Sequence, residues 1–125
     1  MPITVKDMLA DAHAVVPRLP PEQVRMHLRG GAVLLDVRDP HEVAASGKIA
    51  GAIAVSRGML EFRADPAGPN RHPALQPDAP VVLYCASGGR AALAGRTLQA
   101  LGYIQVFNAG GFKELAEAGL PVEPA

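Results

Sequence analysis

The chain has 125 residues, which is enough for one domain and too few for two separate cores. Lysine plus arginine and aspartate plus glutamate each number 12, so the formal charge is zero and gives no field that would favour a nucleic acid or an anionic membrane. A single cysteine excludes an internal disulfide, and His13, His27, His41 and His72 lack metal-ligand spacing. We therefore expect a globular protein without a metal or other cofactor.

The first sixteen residues predict no targeting signal. They contain a lysine and two aspartates ahead of any long apolar run, unlike a secretory signal peptide. No stretch approaches the ~20 apolar residues of a membrane span. We expect a cytoplasmic protein with neither membrane nor nucleic-acid partners.

The amino-terminal part predicts two helices. Thr4 and Asp7 form a capping-box pattern, and apolar residues at helical spacing predict a helix over about residues 5–15. Prolines end it, and Pro21 suits the first turn of a second helix that ends at Gly30-Gly31. Residues 1–17 are interpreted as a helical extension of the domain that follows.

Continuous apolar runs predict buried strands. Residues 32–37 and 80–85 are too short for helices and are bounded by turn residues, as is typical of parallel strands covered on both faces. Short strands are also predicted over 51–55 and 103–107, and helices over 57–64, 90–101 and 112–119. This alternation predicts an α/β, three-layer domain with a mostly parallel central sheet flanked by helices.

Two segments predict irregular structure. Residues 65–80 hold five prolines and predict a surface loop. The sequence Asn-Ala-Gly-Gly at 108–111 predicts a turn between the last strand and the last helix.

The strongest candidate for chemistry is the only cysteine, Cys85, which ends the predicted strand 80–85. The residues that follow are Ala86, Ser87, Gly88, Gly89 and Arg90. Ligands of open α/β sheets bind outside the carboxyl ends of strands. Small residues let loop N–H groups turn inward, and these donors, the helix N-terminus and Arg90 all favour a thiolate. The pattern predicts a nucleophilic cysteine in an anion-binding loop, although a buried structural cysteine is the alternative.

Four segments of the sequence together resemble the conserved segments of one protein family. They are Leu35–Arg38 with Glu42, Gly47–Ala52, the Cys85 loop, and Gly110–Phe112 ahead of Gly119–Val122. In combination they resemble a single-domain rhodanese, a sulfurtransferase family, over about residues 18–123. Lys48 and Ala50 stand where the family usually has histidine and proline. The resemblance implies a rhodanese-like domain over residues 18–125.

The resemblance implies a sulfane sulfur carried as a persulfide on Cys85. A small anionic donor, thiosulfate or a persulfide, would supply the sulfur, and a thiol, cyanide or a protein would accept it. The loop residues and Arg90 would bind the donor. In sulfurtransferases this loop spans six residues, here Cys85 to Arg90, whereas phosphatases of the same fold use a loop one residue longer. The alternatives are a non-catalytic persulfide carrier, a cysteine-dependent phosphatase or arsenate reductase, and a Cys-His hydrolase.

Four further charged residues are candidates near this site. The resemblance implies a structural role for Asp36 and Arg38, with Arg38 pairing with Glu42 to tie a strand end to the next helix. Arg57 follows the strand 51–55 and is expected at the same rim, where it would attract an anionic donor. A solvated arginine is an equal alternative for Arg57.

Overall fold

The computed structural model describes residues 2–125. The helices are α1 (Val5–Val15), α2 (Pro21–Arg29), α3 (Pro40–Ser46), α4 (Leu60–Ala64), α5 (Gly89–Ala100) and α6 (Phe112–Glu117), with a 3-10 turn at Arg57–Met59. The strands are β1 (Val33–Asp36), β2 (Lys48–Ile49), β3 (Ile53–Ala54), β4 (Val81–Cys85), β5 (Val106–Gly111) and β6 (Val122–Glu123).

A parallel four-stranded sheet lies at the centre, in the order β3-β1-β4-β5. Beyond β5, the segment before α2 adds a bridge from Arg18 to Asn108. All carboxyl ends of the strands therefore meet at one edge, as the sequence predicts. The short strands β2 and β6 pair antiparallel in a second sheet that the sequence did not predict.

Each face of the central sheet carries its own apolar core, because successive strand residues point to opposite faces. Leu35, Leu83 and Cys85 belong to one core, which α1, α4 and α5 cover. Leu34 and Tyr84 belong to the other core, which α2, β2 and α6 cover. This arrangement confirms the predicted three-layer α/β fold with a parallel sheet flanked by helices.

Helix α1 is packed on α5. Ala12 is fully buried, and Val16, just after the helix, belongs to the core that contains Cys85. Arg96 on α5 bonds to Asp11 at 3.0 Å, and Gln99 donates to the carbonyl of Val15 at 2.7 Å. The predicted capping box of Thr4 and Asp7 is present. The amino-terminal helix therefore contributes to the core of the sheet domain.

Two expectations at the carboxyl-terminal side are wrong. The last central strand is not residues 103–107 but Val106–Gly111, and the predicted turn at 108–111 is its end. Glycines in an Asn-Ala-Gly-Gly run favour a turn locally, but here they allow close packing against the Cys85 loop.

The loop over 65–80 is irregular, as predicted. No helix within residues 2–125 is long and apolar enough to cross a membrane.

Candidate active site

Cys85 is the last residue of β4, whose five residues are all buried. The side chain itself is 1% exposed, and it packs with the core on the α5 side of the sheet. The neighbouring Tyr84 points to the opposite face, where its hydroxyl accepts a hydrogen bond from the N–H of Ile49 at 3.0 Å. The strand thus fixes the thiol at the carboxyl edge of the sheet, as predicted.

The loop after Cys85 turns back on its sulfur. The N–H of Gly88 donates to Sγ at 3.0 Å. Gly88 has φ +105°, in the left-handed region that glycine favours, and it is the N-cap of α5. The N–H groups of Gly89, Arg90 and Ala91 open the helix and have no intrahelical acceptor. Ala86 and Ser87 form the exposed part of the loop. The loop therefore places one backbone donor, the N–H of Gly88, and the N-terminus of α5 at the sulfur.

The end of β5 packs against the loop that follows Cys85. Between β4 and β5 the register shifts, so that Leu83 lies opposite Asn108 and Cys85 opposite Gly111. A Cβ atom on Gly111 would collide with the carbonyl oxygen of Ala86, so only glycine permits this approach. The buried Asn108 side chain donates to the carbonyl of Gly88 at 3.1 Å. Asn108 therefore fixes the residue whose N–H binds the sulfur.

Arg90 is held by a carboxylate from α3. Its two terminal nitrogens donate to the two carboxylate oxygens of Glu42, at 2.6 and 2.9 Å. The N–H of Asp39 also bonds to Glu42, at 3.0 Å. The hydrogen bonds from Arg90 and Asp39 lower the pKa of Glu42 to about 2, and the bond to Glu42 raises the pKa of Arg90. The end of the Cys85 loop is thereby tied to α3.

The predicted pair between Arg38 and Glu42 is wrong. Arg38 instead bonds to Asp36 through both Nε and Nη2, at 3.1 and 2.8 Å, and both side chains are buried. Nη1 donates to the hydroxyl of Ser46, and Nη2 also donates to the carbonyl of Gly47, each at 2.8 Å. A buried guanidinium needs a charged partner, and the buried Asp36, two residues before Arg38, supplies it. The spacing of four residues between Arg38 and Glu42 had predicted a different pair. The pair ties β1 to the end of α3.

Arg57 is not brought to the cysteine loop. Its guanidinium donates to Glu61 and to the hydroxyl of Thr97, both at 3.0 Å. Thr97 lies two turns along α5 from Gly89, roughly 12 Å at the rise of a helix. Arg57 follows β3 as predicted, and its guanidinium lies beside Thr97 on α5.

Two residues of the site were missing from the sequence analysis. Asn108 falls in the predicted turn 108–111, and the sequence predicts no role for Arg18. The rule that selected Cys85, a polar side chain at the carboxyl end of a parallel strand, also applies to Asn108, which directly follows the predicted strand 103–107. No local pattern marks Arg18, because only the chain path beside β5 brings it to Gly88.

The chain matches the family model for the rhodanese-like domain over residues 20–118. It belongs to the rhodanese-like domain family. The cysteine at the carboxyl end of β4 and the loop into α5 lie inside the matched region.

Named relatives agree with this assignment. The chain is 34% identical to the thiosulfate sulfurtransferase GlpE of Pseudomonas putida over 110 residues, covering 86% of this chain and 91% of that protein. It is 36% identical to the polysulfide-sulfur transferase of Wolinella succinogenes, with a TM-score of 0.73 over 97% of this chain and 85% of that one. The rhodanese domain here is accordingly an enzyme of the sulfurtransferase type.

A third similar structure has another description. A Rhodopseudomonas palustris protein of unknown function, described as a possible tyrosine phosphatase, is 39% identical with a TM-score of 0.85. The match covers 98% of this chain and 99% of that chain, so α1 falls within the shared fold.

Proposed function

We propose that this rhodanese transfers a sulfane sulfur from a small anionic donor to a nucleophilic acceptor through a persulfide on Cys85. The observation that supports it is the hydrogen bond from the Gly88 N–H to Sγ at 3.0 Å, at the end of a buried strand and the start of a helix. The same donors that stabilise a thiolate stabilise the terminal sulfur of a persulfide.

The reaction consists of two displacements at sulfur. The Cys85 thiolate attacks the outer sulfur of thiosulfate, the S–S bond of the donor breaks, and sulfite leaves with the electron pair. The terminal sulfur of the resulting persulfide carries the negative charge. A nucleophile such as cyanide then attacks that sulfur, and thiocyanate leaves with regeneration of the thiolate. No oxidant or reductant is consumed.

Donor size is limited by the loop. The loop from Cys85 to Arg90 has six residues, and its Gly88 N–H bonds to the sulfur. Asn108 holds the carbonyl of Gly88, and Gly111 packs against Ala86. A single transferred sulfur atom suits this space better than a phosphoryl group with three oxygens, because the three oxygens of thiosulfate stay outside the loop. Thiosulfate and polysulfide are both donors of this type. A thiol or a protein that accepts the sulfur would complete the cycle. The proposed nucleophile is a single reduced thiol, which suits the cytoplasm because thiols are kept reduced there.

The test is the mass of the protein itself. Incubation with thiosulfate should add one sulfur atom to the intact chain, and subsequent cyanide should remove it with formation of one thiocyanate. Cys85→Ser should abolish both, because the chain has no other thiol. Arg96→Met, at the exposed pair with Asp11, is the control and should keep the mass gain. A Cys85→Ser protein that still formed thiocyanate would contradict the proposal.

The phosphatase alternative has its own measurement. We expect no hydrolysis of p-nitrophenyl phosphate, because the loop has one residue fewer than the phosphatase loop and Arg90 is bound by Glu42. Hydrolysis that disappears in Cys85→Ser would favour the phosphatase instead.

A further inference from the structure

The side chain of Arg18 lies on the Cys85 loop although it follows α1 in the chain. Its Nη2 donates to Glu114 on α6 at 2.8 Å. A Cβ atom on Gly88 would lie 2.9 Å from its Nη1. A Cβ atom on Gly110 would collide with Nη2 and with the Glu114 carboxylate. The guanidinium therefore rests on the two glycines that shape the cysteine loop.

The backbone around Arg18 is fixed to β5. The N–H of Leu19 donates to the carbonyl of Asn108 at 2.9 Å, and the N–H of Asn108 donates to the carbonyl of Pro17 at 2.9 Å. Asn108 is also the residue whose amide holds the carbonyl of Gly88. Arg18 and the sulfur-binding loop thus share one rigid support, so the cation keeps its place relative to Cys85.

The two arginines at the loop differ in how far they are neutralised. Arg90 is bound by both oxygens of Glu42, and its side chain is 35% exposed. Arg18 uses one nitrogen for Glu114 and is 47% exposed. Its Nη1 has no recorded hydrogen-bond partner among residues 2–125. Arg18 therefore has more donors left for a ligand than Arg90, and its charge is less fully neutralised.

We propose that Arg18 is a specificity-determining residue that binds the distal, negatively charged end of the sulfur donor. The inference rests on the proposed sulfur transfer and adds the group that recognises the charge. In thiosulfate the negative oxygens lie opposite the transferred sulfur, so one end enters the loop while the other meets Arg18. Glu114 competes with the donor for the same guanidinium and so sets the strength of the contact.

The first test measures the electrostatic potential near Cys85 and needs no sulfur transfer. Iodoacetate is an anion and iodoacetamide is neutral, and both alkylate the only thiol of the chain. We expect Arg18→Met to lower the ratio of their rates, iodoacetate over iodoacetamide, by up to about fivefold at low salt. Glu114→Gln should raise the ratio, because it removes the negative charge beside the guanidinium while its amide oxygen can still accept from the N–H of Gly111.

The second test uses two donors that differ by one charge. Thiosulfate is a dianion, and methanethiosulfonate carries the same transferable sulfur as a monoanion. We expect Arg18→Met to raise the KM for thiosulfate more than the KM for methanethiosulfonate, and Glu114→Gln to lower the KM for thiosulfate.

A matched control is the exposed pair of Arg96 and Asp11 between α5 and α1. Its side chains are 49% and 60% exposed, close to the 47% and 53% of Arg18 and Glu114. Arg96→Met should leave the rate ratio and both KM values unchanged.

Opposite effects of the two variants distinguish binding from mere support. If Arg18→Met and Glu114→Gln both lower the alkylation ratio, the pair only clamps the loop and the proposal is overturned. A ratio that responds while both KM values stay constant overturns it as well. Absence of sulfur transfer in the natural protein would contradict the proposed function, and the alkylation ratio would still report separately on Arg18.

Discussion

The carboxylate of Glu42 joins α3 to the first turn of α5. It accepts two bonds from Arg90 and one from the N–H of Asp39, and its side chain is 26% exposed. Because the helix N-terminus and the arginine both act on it, this carboxylate is ionised far below the pH at which a free glutamate takes up a proton.

Glu42→Gln should therefore destabilise the protein in a pH-dependent way. The pKa of Glu42 is about 2 in the folded protein and 4.5 normally, so its contribution is complete above pH 4.5 and is lost as the pH falls toward 2. We expect a loss of about 1 kcal/mol near neutral pH, since part of the pair is exposed. Urea unfolding at about pH 7 and about pH 3 measures it.

The matched control for Glu42 is Glu117→Gln, an exposed position on α6. It should change the free energy of unfolding by no more than about 0.5 kcal/mol at either pH. A difference between the natural protein and Glu42→Gln that stays constant down to acid pH would show that the pair does not depend on the ionised carboxylate.

At the scale of residues, the sequence predicted the position of Cys85 and missed its partners. Cys85 is readable because a strand end, small loop residues and a helix start follow one another along the chain. The partners of Arg90 and Arg38 are not readable in this way. Spacing of four residues suggested Arg38 with Glu42, but Glu42 meets Arg90, 48 residues away, once β1 and β4 lie side by side.

At the scale of elements, α5 closely approaches β5 and the residue that follows α1 at Gly95. A Cβ atom there would lie 2.8 Å from a methyl group of Val16 and 3.2 Å from one of Val106. The helix therefore uses glycine where packing leaves no room for a methyl group.

Gly95→Ala should destabilise the protein despite favouring the helix. Alanine gains about 1 kcal/mol of helix propensity, but overpacking costs about 1–3 kcal/mol, so we expect a net loss of about 1 kcal/mol in urea unfolding. Gly58→Ala is the control, because a Cβ atom on Gly58 meets nothing within 4 Å. A Gly95→Ala protein more stable than the natural one would mean that α1 moves aside at no cost.

The sequence predicted elements well where one signal was strong. The capping box and prolines fixed α1 and α2, and the apolar runs fixed β1 and β4. It failed for β5, where two glycines favour a turn locally and the strand continues because its glycines pack under the loop. It also missed β2 and β6, whose two-residue strands exist only through pairing with each other.

At the scale of the whole molecule, the position of α1 decides where the domain begins. Residues 1–17 were interpreted as an extension, yet Ala12 is fully buried on the same helix on which Ala14 is exposed. We propose that α1 is part of the same cooperative unit as the sheet.

A pair of identical substitutions tests this. Ala12→Asp places a carboxylate against α5 and should lower the free energy of unfolding by about 3 kcal/mol. Ala14→Asp makes the same change on the exposed side and should cost no more than about 0.5 kcal/mol. Urea unfolding followed at the sheet domain measures both. Equal stability of the two variants would mean that α1 folds apart from the rest.

In the proposed reaction, the single thiol, which is 1% exposed, also limits how the transferred sulfur leaves Cys85. With no second cysteine in the chain, the proposed persulfide has no neighbour with which to form an internal disulfide. The sulfur then leaves only to a nucleophile from outside whose attacking atom fits beside Gly88. We expect the lifetime of the persulfide to depend on the size of that acceptor.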